Sequence, residues 1–196
     1  MEANSSFAHR SLARFALWPL GRVKEAVREM RAAEENDPLS PLVHSELADV
    51  LLSAGRLDEA AAQCNELPDD LLGKDQCLGR VRVAQGRIAE AIPLLASSRA
   101  YNWGYLAYAY AKSGRRADAE RVMAEAPIRY PNRRGPFQFA LAYAGFEDRD
   151  RTVEQLERMA GVGPVRIGFT LNSPEFAFVR SDLRVKLLRK NLGLPE

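Results

Sequence analysis

The chain has 196 residues, of which 46% are hydrophobic, so it can bury a substantial apolar interior and its composition excludes wholesale disorder. Its 28 lysines and arginines nearly balance 26 aspartates and glutamates, which leaves a formal net charge of +2. This excludes a general electrostatic attraction to nucleic acid or to an anionic membrane. No apolar stretch approaches bilayer-spanning length, and residues 1–6 lack the pattern of a secretory signal. We therefore expect a cytoplasmic protein, or a periplasmic one if it is part of a membrane-anchored regulator.

One short phrase occurs four times along the chain and marks an internal repeat. A glycine is followed at once by arginine, then by an acidic residue four positions on and by alanine five positions on. The glycines are Gly21, Gly55, Gly86 and Gly114, so the spacings are 34, 31 and 28 residues. Glycine enters the left-handed backbone region without penalty, alanine lets two helices approach closely, and an acid in the first turn complements the helix dipole. The phrase therefore predicts a bend between two antiparallel helices.

In chain order, the phrase and its flanks predict four helical hairpins. They cover residues 7–38, 41–68, 70–98 and 100–127. Apolar residues recur at helical spacing on both sides of each bend. Ser40 and Pro41 begin a helix, whereas Pro38 and Pro127 each follow the end of one. A degenerate fifth hairpin is predicted over residues 135–161.

The fifth hairpin departs from the phrase at two positions. Glu147 replaces the bend glycine, and Thr152 replaces the small alanine. A cap is predicted to follow over residues 164–196, with Ser173 and Ser181 as the N-caps of two short helices. Such a cap would cover the apolar face that the last hairpin of a stack exposes.

These units resemble the tetratricopeptide repeat, which has a small residue in its first helix, glycine at the bend, alanine in the second helix and proline at the exit. The clearest match lies over residues 41–68, at Leu47, Ala48, Gly55 and Ala60. The resemblance implies an all-α fold, a right-handed superhelical solenoid of antiparallel hairpins capped by short C-terminal helices. It also implies one domain spanning residues 1–196.

The tail over residues 172–196 resembles the segment that follows such repeat arrays in certain bacterial signalling proteins. In those relatives the array follows a winged-helix DNA-binding domain, a Ser/Thr kinase domain or a nucleotide cyclase domain, none of which this sequence contains. The resemblance leaves open whether the chain is a complete small protein or a regulatory segment of a larger one.

The residues that could carry chemistry do not form a recognisable site. His9 and His44 lack a second ligand at metal-binding spacing. For Cys64 and Cys77 we favour free packed thiols, with a redox or metal-binding pair as the alternative. Five basic residues near the C-terminus favour a solvated helix face over nucleic-acid binding: Arg180, Arg184, Lys186, Arg189 and Lys190. We expect no enzyme activity, no metal site and no cofactor.

The first helix of each hairpin lines the concave face of such a solenoid, so residues there that point away from the packed stripe are candidates for binding a partner. Helical spacing nominates twelve of them: Phe15, Trp18, Ser45, Asp49, Leu52, Gln76, Arg80, Val83, Tyr101, Tyr105, Tyr108 and Lys112. Aromatic and arginine side chains are favoured at the energetic centres of interfaces. The alternative, that the aromatic residues pack between hairpins, stays open.

The leading hypothesis is a scaffold that binds a peptide or protein segment in its concave groove, in bacterial signalling or regulation. The alternative is the sensory arm of a DNA-binding regulator or kinase whose effector domain is absent from this chain. The expected partner is a protein or peptide, with no nucleic acid or membrane bound by this segment; the oligomeric state is left open. Ser11, Phe15, Ser45 and Asp49 occupy the positions at which chaperone-tail-binding relatives clamp a terminal carboxylate. We therefore predict no clamp of that type.

Overall fold

The computed structural model describes residues 5–69, 73–97, 103–133 and 135–195, and this part of the chain is helical with no β-strand. The predicted all-α solenoid is thereby confirmed. The first six helices are α1 (Ser6–Leu12), α2 (Val23–Asn36), α3 (Pro41–Ser53), α4 (Leu57–Asn65), α5 (Lys74–Ala84) and α6 (Ile88–Ser97). The next six are α7 (Trp103–Lys112), α8 (Arg116–Arg129), α9 (Pro136–Gly145), α10 (Arg149–Arg158), α11 (Pro164–Asn172) and α12 (Leu183–Asn191).

Short helical segments of other types join or extend these helices. The end of α1 runs directly into a π-helical segment, Ala13–Leu17. Three 3-10 segments follow α8, α10 and α11, namely Pro131–Arg133, Ala160–Val162 and Pro174–Val179. Pro127 does not end its helix as predicted, because α8 contains it and continues to Arg129. No helix in the described ranges is long and apolar enough to cross a membrane.

The helices pack as consecutive antiparallel pairs: α1 with α2, α3 with α4, α5 with α6, α7 with α8 and α9 with α10. The four bend glycines have φ between +72° and +78°, the left-handed region that glycine tolerates best. The second bend shows the usual closing bonds, with the Gly55 amide donating to the Leu52 carbonyl and the Arg56 amide to the Leu51 carbonyl. Glu147 makes the fifth bend with φ +57°, so the degenerate hairpin turns in the same way without glycine.

The repeated phrase also carries an ion pair that connects the bend to the next helix. The Arg56 guanidinium donates two hydrogen bonds of 2.6 Å to the Glu59 carboxylate, and Arg22 with Glu25 repeats this arrangement at the first bend. The corresponding pairs at the third and fourth bends are Arg87 with Glu90 and Arg115 with Asp118. The small alanine of each phrase is fully buried where the two helices of the hairpin meet.

The C-terminal segment packs back against the first hairpin. A Cβ atom on Gly168 in α11 would lie 2.4 Å from the Pro19 carbonyl oxygen, so the backbones touch there. The Asn172 side-chain amide donates to the Trp18 carbonyl at 2.6 Å, and the Trp18 and Phe169 rings stack with centroids 5.1 Å apart. The cap therefore contacts the opposite end of the stack as well as the last hairpin.

Of the two predicted N-caps, Ser173 precedes a 3-10 segment, and its hydroxyl donates to the Phe169 carbonyl instead of capping that segment. The prediction for Ser181 is wrong. Asp182 occupies the N-cap position of α12, and its carboxylate accepts a hydrogen bond from the Arg184 amide. A carboxylate accepts from the exposed amides of a first turn more strongly than a hydroxyl does.

Candidate functional site

A cavity of about 220 Å³ lies on the concave side, where the first helices of all five hairpins meet α11. Fourteen residues line it: Arg14, Trp18, Ser45, Asp49, Gly73, Gln76, Cys77, Arg80, Tyr105, Phe137, Arg166, Phe169, Thr170 and Ser173. It is polar and aromatic, and its residues come from all parts of the chain. A larger hollow of about 680 Å³ lies beside α6 and α8.

Arg80 on α5 is the central cation of this cavity. Its guanidinium donates to the Asp49 carboxylate and lies over the Tyr105 ring, with 4.8 Å from Cζ to the ring centroid. Burial, the largest single influence, lowers the pKa of Arg80, but the surrounding groups, Asp49 first, together outweigh it and raise that pKa above its ordinary value. Burial also raises the pKa of the Tyr105 hydroxyl. Arg80 is therefore a permanent charge, and Tyr105 stays protonated.

Two further arginines share an aromatic platform at the cavity. Arg14 Cζ lies 4.7 Å from the Phe169 centroid, and Arg166 Cζ lies 5.5 Å from the same centroid. Arg14 is paired with Glu46 at 3.0 Å. Among the described residues no carboxylate pairs with Arg166, whose guanidinium also lies 5.1 Å from the Phe137 centroid. Burial, and then the charge of Arg14, lower the pKa of Arg166.

Several buried polar atoms at or near the cavity have no hydrogen-bond partner within the described ranges. They include Arg80 Nε and the Thr170 hydroxyl, both on lining residues, and one carboxyl oxygen of Glu175. Thr170 is only 1% exposed. Burial raises the pKa of Glu175, which interacts electrostatically with Arg80. Buried polar atoms are normally paired, so unpaired ones at a cavity are suited to a polar guest.

The cysteine prediction is wrong: Cys64 and Cys77 form a disulfide, with Cα atoms 5.6 Å apart. Both side chains are buried, and the bond joins α4 to α5 across the connection between the second and third hairpins. The sequence already placed one cysteine in each of two adjacent helices. Only the packing of α4 against α5 decided that their Cβ atoms face each other.

Six of the twelve predicted residues line the cavity: Trp18, Ser45, Asp49, Gln76, Arg80 and Tyr105. Two of these aromatic side chains are nevertheless packed, with Trp18 2% and Tyr105 4% exposed. The Trp18 indole N–H donates to the Ser53 hydroxyl at 3.0 Å. For these aromatic residues the packing alternative describes the structure, while any part they play in binding stays a prediction.

The other six predicted residues do not line the cavity or lie outside the residues that the structure describes. Leu52 is in the core, Tyr108 is buried, and Val83 packs against the core of the C-terminal half. Lys112 pairs with Glu147 at 2.6 Å, and Phe15 is 57% exposed. Tyr101 lies outside the described residues.

Sequence reasoning missed the half of the cavity contributed by Arg14, α9 and α11. Arg166, Phe169, Thr170 and Ser173 follow one another at spacings of three, one and three residues, which places them on one helix face. That spacing was a usable signal for an amphipathic helix. It does not say which surface the face covers, because the cap could have packed on the last hairpin alone.

The residues considered for other sites have structural contacts. His44 is buried, with Nδ1 2.7 Å from Gln63 Oε1. In the C-terminal basic set, Arg180 donates to the Leu171 and Ser173 carbonyls and Arg184 pairs with Glu157. Over the described ranges, no three histidine, cysteine or acidic residues cluster as metal ligands would.

Comparison with known proteins agrees with this architecture. Two segments, residues 16–71 and residues 103–125, match models of the tetratricopeptide repeat. The solved structure of pilF from Pseudomonas aeruginosa superposes with a TM-score of 0.54 over 86% of this chain and 81% of that chain. At 19% sequence identity this likeness shows the fold alone. A search of the curated proteins returned no match.

These findings define a helical solenoid with tetratricopeptide-type repeats in the two matched segments. Repeats of this kind generally mediate protein–protein interactions and are typically non-catalytic scaffolds. The similarity of the tail to the end segment of winged-helix regulators has no counterpart among these findings.

Proposed function

We propose that this protein is an interaction scaffold that binds a short segment of a partner protein at the concave cavity, in bacterial signalling or regulation. The observation that carries the proposal is the convergence of the first helices of five hairpins on one opening with unpaired polar groups. In a repeat protein this is the surface that every unit helps to build, so its chemistry can be set by many residues.

The size of the cavity limits what it can accept. Helix α11 lies across the concave side, and the remaining volume of about 220 Å³ is below the range of about 300–1,000 Å³ typical of drug-sized ligand pockets. A single side chain of a partner segment fits this volume better than a whole extended peptide. The flanking residues of the segment would then lie over the partly exposed rim formed by Ser45, Gln76 and Arg166.

Site-specific photo-crosslinking tests this proposal. A photoreactive amino acid replaces Gln76 on the cavity wall, or, as a matched control, Arg28 on α2, whose side chain is 75% exposed. After crosslinking in the native host, mass spectrometry identifies the attached segment. We expect one recurring partner segment from Gln76 and none of it from Arg28. Recovery of the same peptides from both positions, or of none from Gln76, would contradict the proposal.

The alternative function, a sensory arm of a larger regulator, draws support from the contact between the C-terminal segment and the first hairpin. Through Gly168 against Pro19, a change at the cavity could alter the packing of the tail. The coding sequence next to that of this chain distinguishes the sensory arm from the scaffold. An in-frame winged-helix, kinase or cyclase segment upstream would favour this alternative.

The disulfide bears on localisation, which the sequence predicted as cytoplasmic, with the periplasm as the alternative for part of a membrane-anchored regulator. Structural disulfides persist in oxidising compartments and are rare in the cytosol. We therefore place the chain in the periplasm as part of the same proposal. Alkylation in denaturant without reductant, followed by mass spectrometry, should leave Cys64 and Cys77 unmodified because their sulfurs are bonded to each other. Alkylation of both thiols would show that the disulfide is absent and would favour the cytoplasm instead.

A further inference from the structure

We infer that the group bound in the cavity is the carboxylate of one aspartate or glutamate side chain within the partner segment, paired with Arg166. The inference rests on the proposed function and adds to it the chemistry of the anchor. It follows from the charges of the lining residues, from the aromatic walls and from the size of the opening.

The charges leave one cation available. The lining contains three arginines and one carboxylate, that of Asp49. Arg80 is paired with Asp49, and Arg14 with Glu46 just outside the lining. Within the described part of the chain Arg166 has no such partner. A guest with a single negative charge therefore balances the charge of Arg166. A phosphate group, with a charge of about −1.5 to −2, would carry excess negative charge and be repelled by Asp49.

The walls suit a carboxylate carried on a short apolar stem. Phe137 and Phe169 flank the Arg166 guanidinium and offer ring surface to methylene groups. A planar guanidinium can donate two parallel hydrogen bonds to one carboxylate. The Thr170 hydroxyl and Arg80 Nε, which belong to lining residues, have no hydrogen-bond partner in the described chain.

A side chain fits better than the free end of a chain. A terminal carboxylate would take its own peptide N–H and C=O groups into the cavity, and each would lose hydrogen bonds to water. An aspartate or glutamate side chain brings only one or two methylene groups with its charge. The backbone of the partner segment then stays at the rim, where water can solvate it.

Capped peptide pools test the inference. One pool has a central glutamate with both ends blocked, a second has glutamine at that position, and a third has no internal acid but a free terminal carboxylate. Binding is followed by the NMR signal of the Trp18 indole N–H on the cavity wall, with that of Trp103 as an internal reference. We expect the glutamate pool to bind at least about fivefold more tightly than either other pool.

Variants assign the binding to Arg166. R166Q should remove the preference for glutamate, R166K should restore part of it, and the exposed-site control R28Q should leave it unchanged. Thermal unfolding verifies that each variant is folded. Since Arg166 is exposed at the rim of the cavity and has no ion-pair partner in the described chain, these variants should fold normally.

Three outcomes would overturn the inference. Equal binding of the glutamate and glutamine pools would show that the anchor is not acidic, while leaving segment binding at the cavity intact. Preference for the free-terminus pool, or equally tight binding of free glutarate, would assign the site to another carboxylate source. If no pool binds, the acidic anchor is wrong, and crosslinking from Gln76 then decides separately whether the scaffold function stands.

Discussion

The outer bends and the concave cavity use arginine in opposite ways. At the first bend Arg22 pairs with an acid three residues on in the chain, and both side chains are well exposed. In the cavity Arg14, Arg80 and Arg166 come from three helices far apart in sequence and lie against aromatic rings. The bends therefore form locally and repeat independently, and their exposed ion pairs contribute little to stability. The cavity exists only when the whole stack and its cap are assembled.

The largest effect should come from breaking the disulfide in the cavity wall. Replacing Cys64 and Cys77 together by alanine should lower the free energy of unfolding by about 3 kcal/mol, the value expected for a closed loop of this size. Urea unfolding without reductant measures the loss. Reductant should destabilise the wild-type protein in the same way and leave the double variant unaffected. If the unfolding curve of the wild-type protein is the same with and without reductant, the disulfide does not form.

The next largest loss of unfolding free energy should come from disrupting the contact between α11 and the first hairpin. Gly168→Ala forces a Cβ atom against the Pro19 backbone and should cost about 2 kcal/mol. Alanine is the better helix former by about 1 kcal/mol, so any loss is due to the contact. Gly161→Ala is the control, because a Cβ there meets open space. Equal unfolding free energies for the two variants would mean that α11 does not pack on the first bend.

Glu175 should make stability depend on pH. Because burial raises its pKa, the folded protein holds a proton at pH values where the unfolded chain, with its ordinary value of 4.5, has released it. The stabilising contribution is present at low pH and is lost as the pH rises from 4.5 through the raised pKa. Glu175→Gln should therefore be more stable than wild type at pH 8, on the order of 1 kcal/mol, and this advantage should vanish in acid.

Unfolding free energies measured from pH 4 to pH 8 check this prediction through the difference between the two proteins. Glu35→Gln, on the exposed surface of α2, is the control. A constant difference between wild type and Glu175→Gln across that range would rule out a buried titrating group.

The smallest effect belongs to the fifth bend. Glu147 holds a backbone conformation with φ +57° that costs a non-glycine residue about 1–2 kcal/mol. Glycine would avoid this cost, but it loses more conformational entropy on folding, which offsets part of the gain. Glu147→Gly should therefore stabilise the protein by about 0.5 kcal/mol. Glu147→Gln keeps the backbone cost but removes the ion pair with Lys112, so it measures that pair separately. Thermal unfolding that shows destabilisation by glycine would mean that the ion pair outweighs the strain.

The amino-acid sequence by itself determined the hairpins. Each bend depends on residues within one short phrase, so Gly55 with Arg56 and Glu59 specifies its turn without knowledge of the rest of the chain. The same periodicity placed Ser45, Asp49, Gln76 and Arg80 on the concave face. Even the degenerate fifth bend could be located, because the spacing of its flanks compensates for the missing glycine.

Only the tertiary structure decided what the concave face contains. Arg166 and Phe169 reach Arg14 and Trp18 because α11 packs on the first bend, more than 140 residues away in sequence. The pairing of Cys64 with Cys77 likewise depends on how α4 packs against α5. Helical periodicity fixes which residues share a face, but the partner of that face is set by long-range packing, which no local pattern encodes.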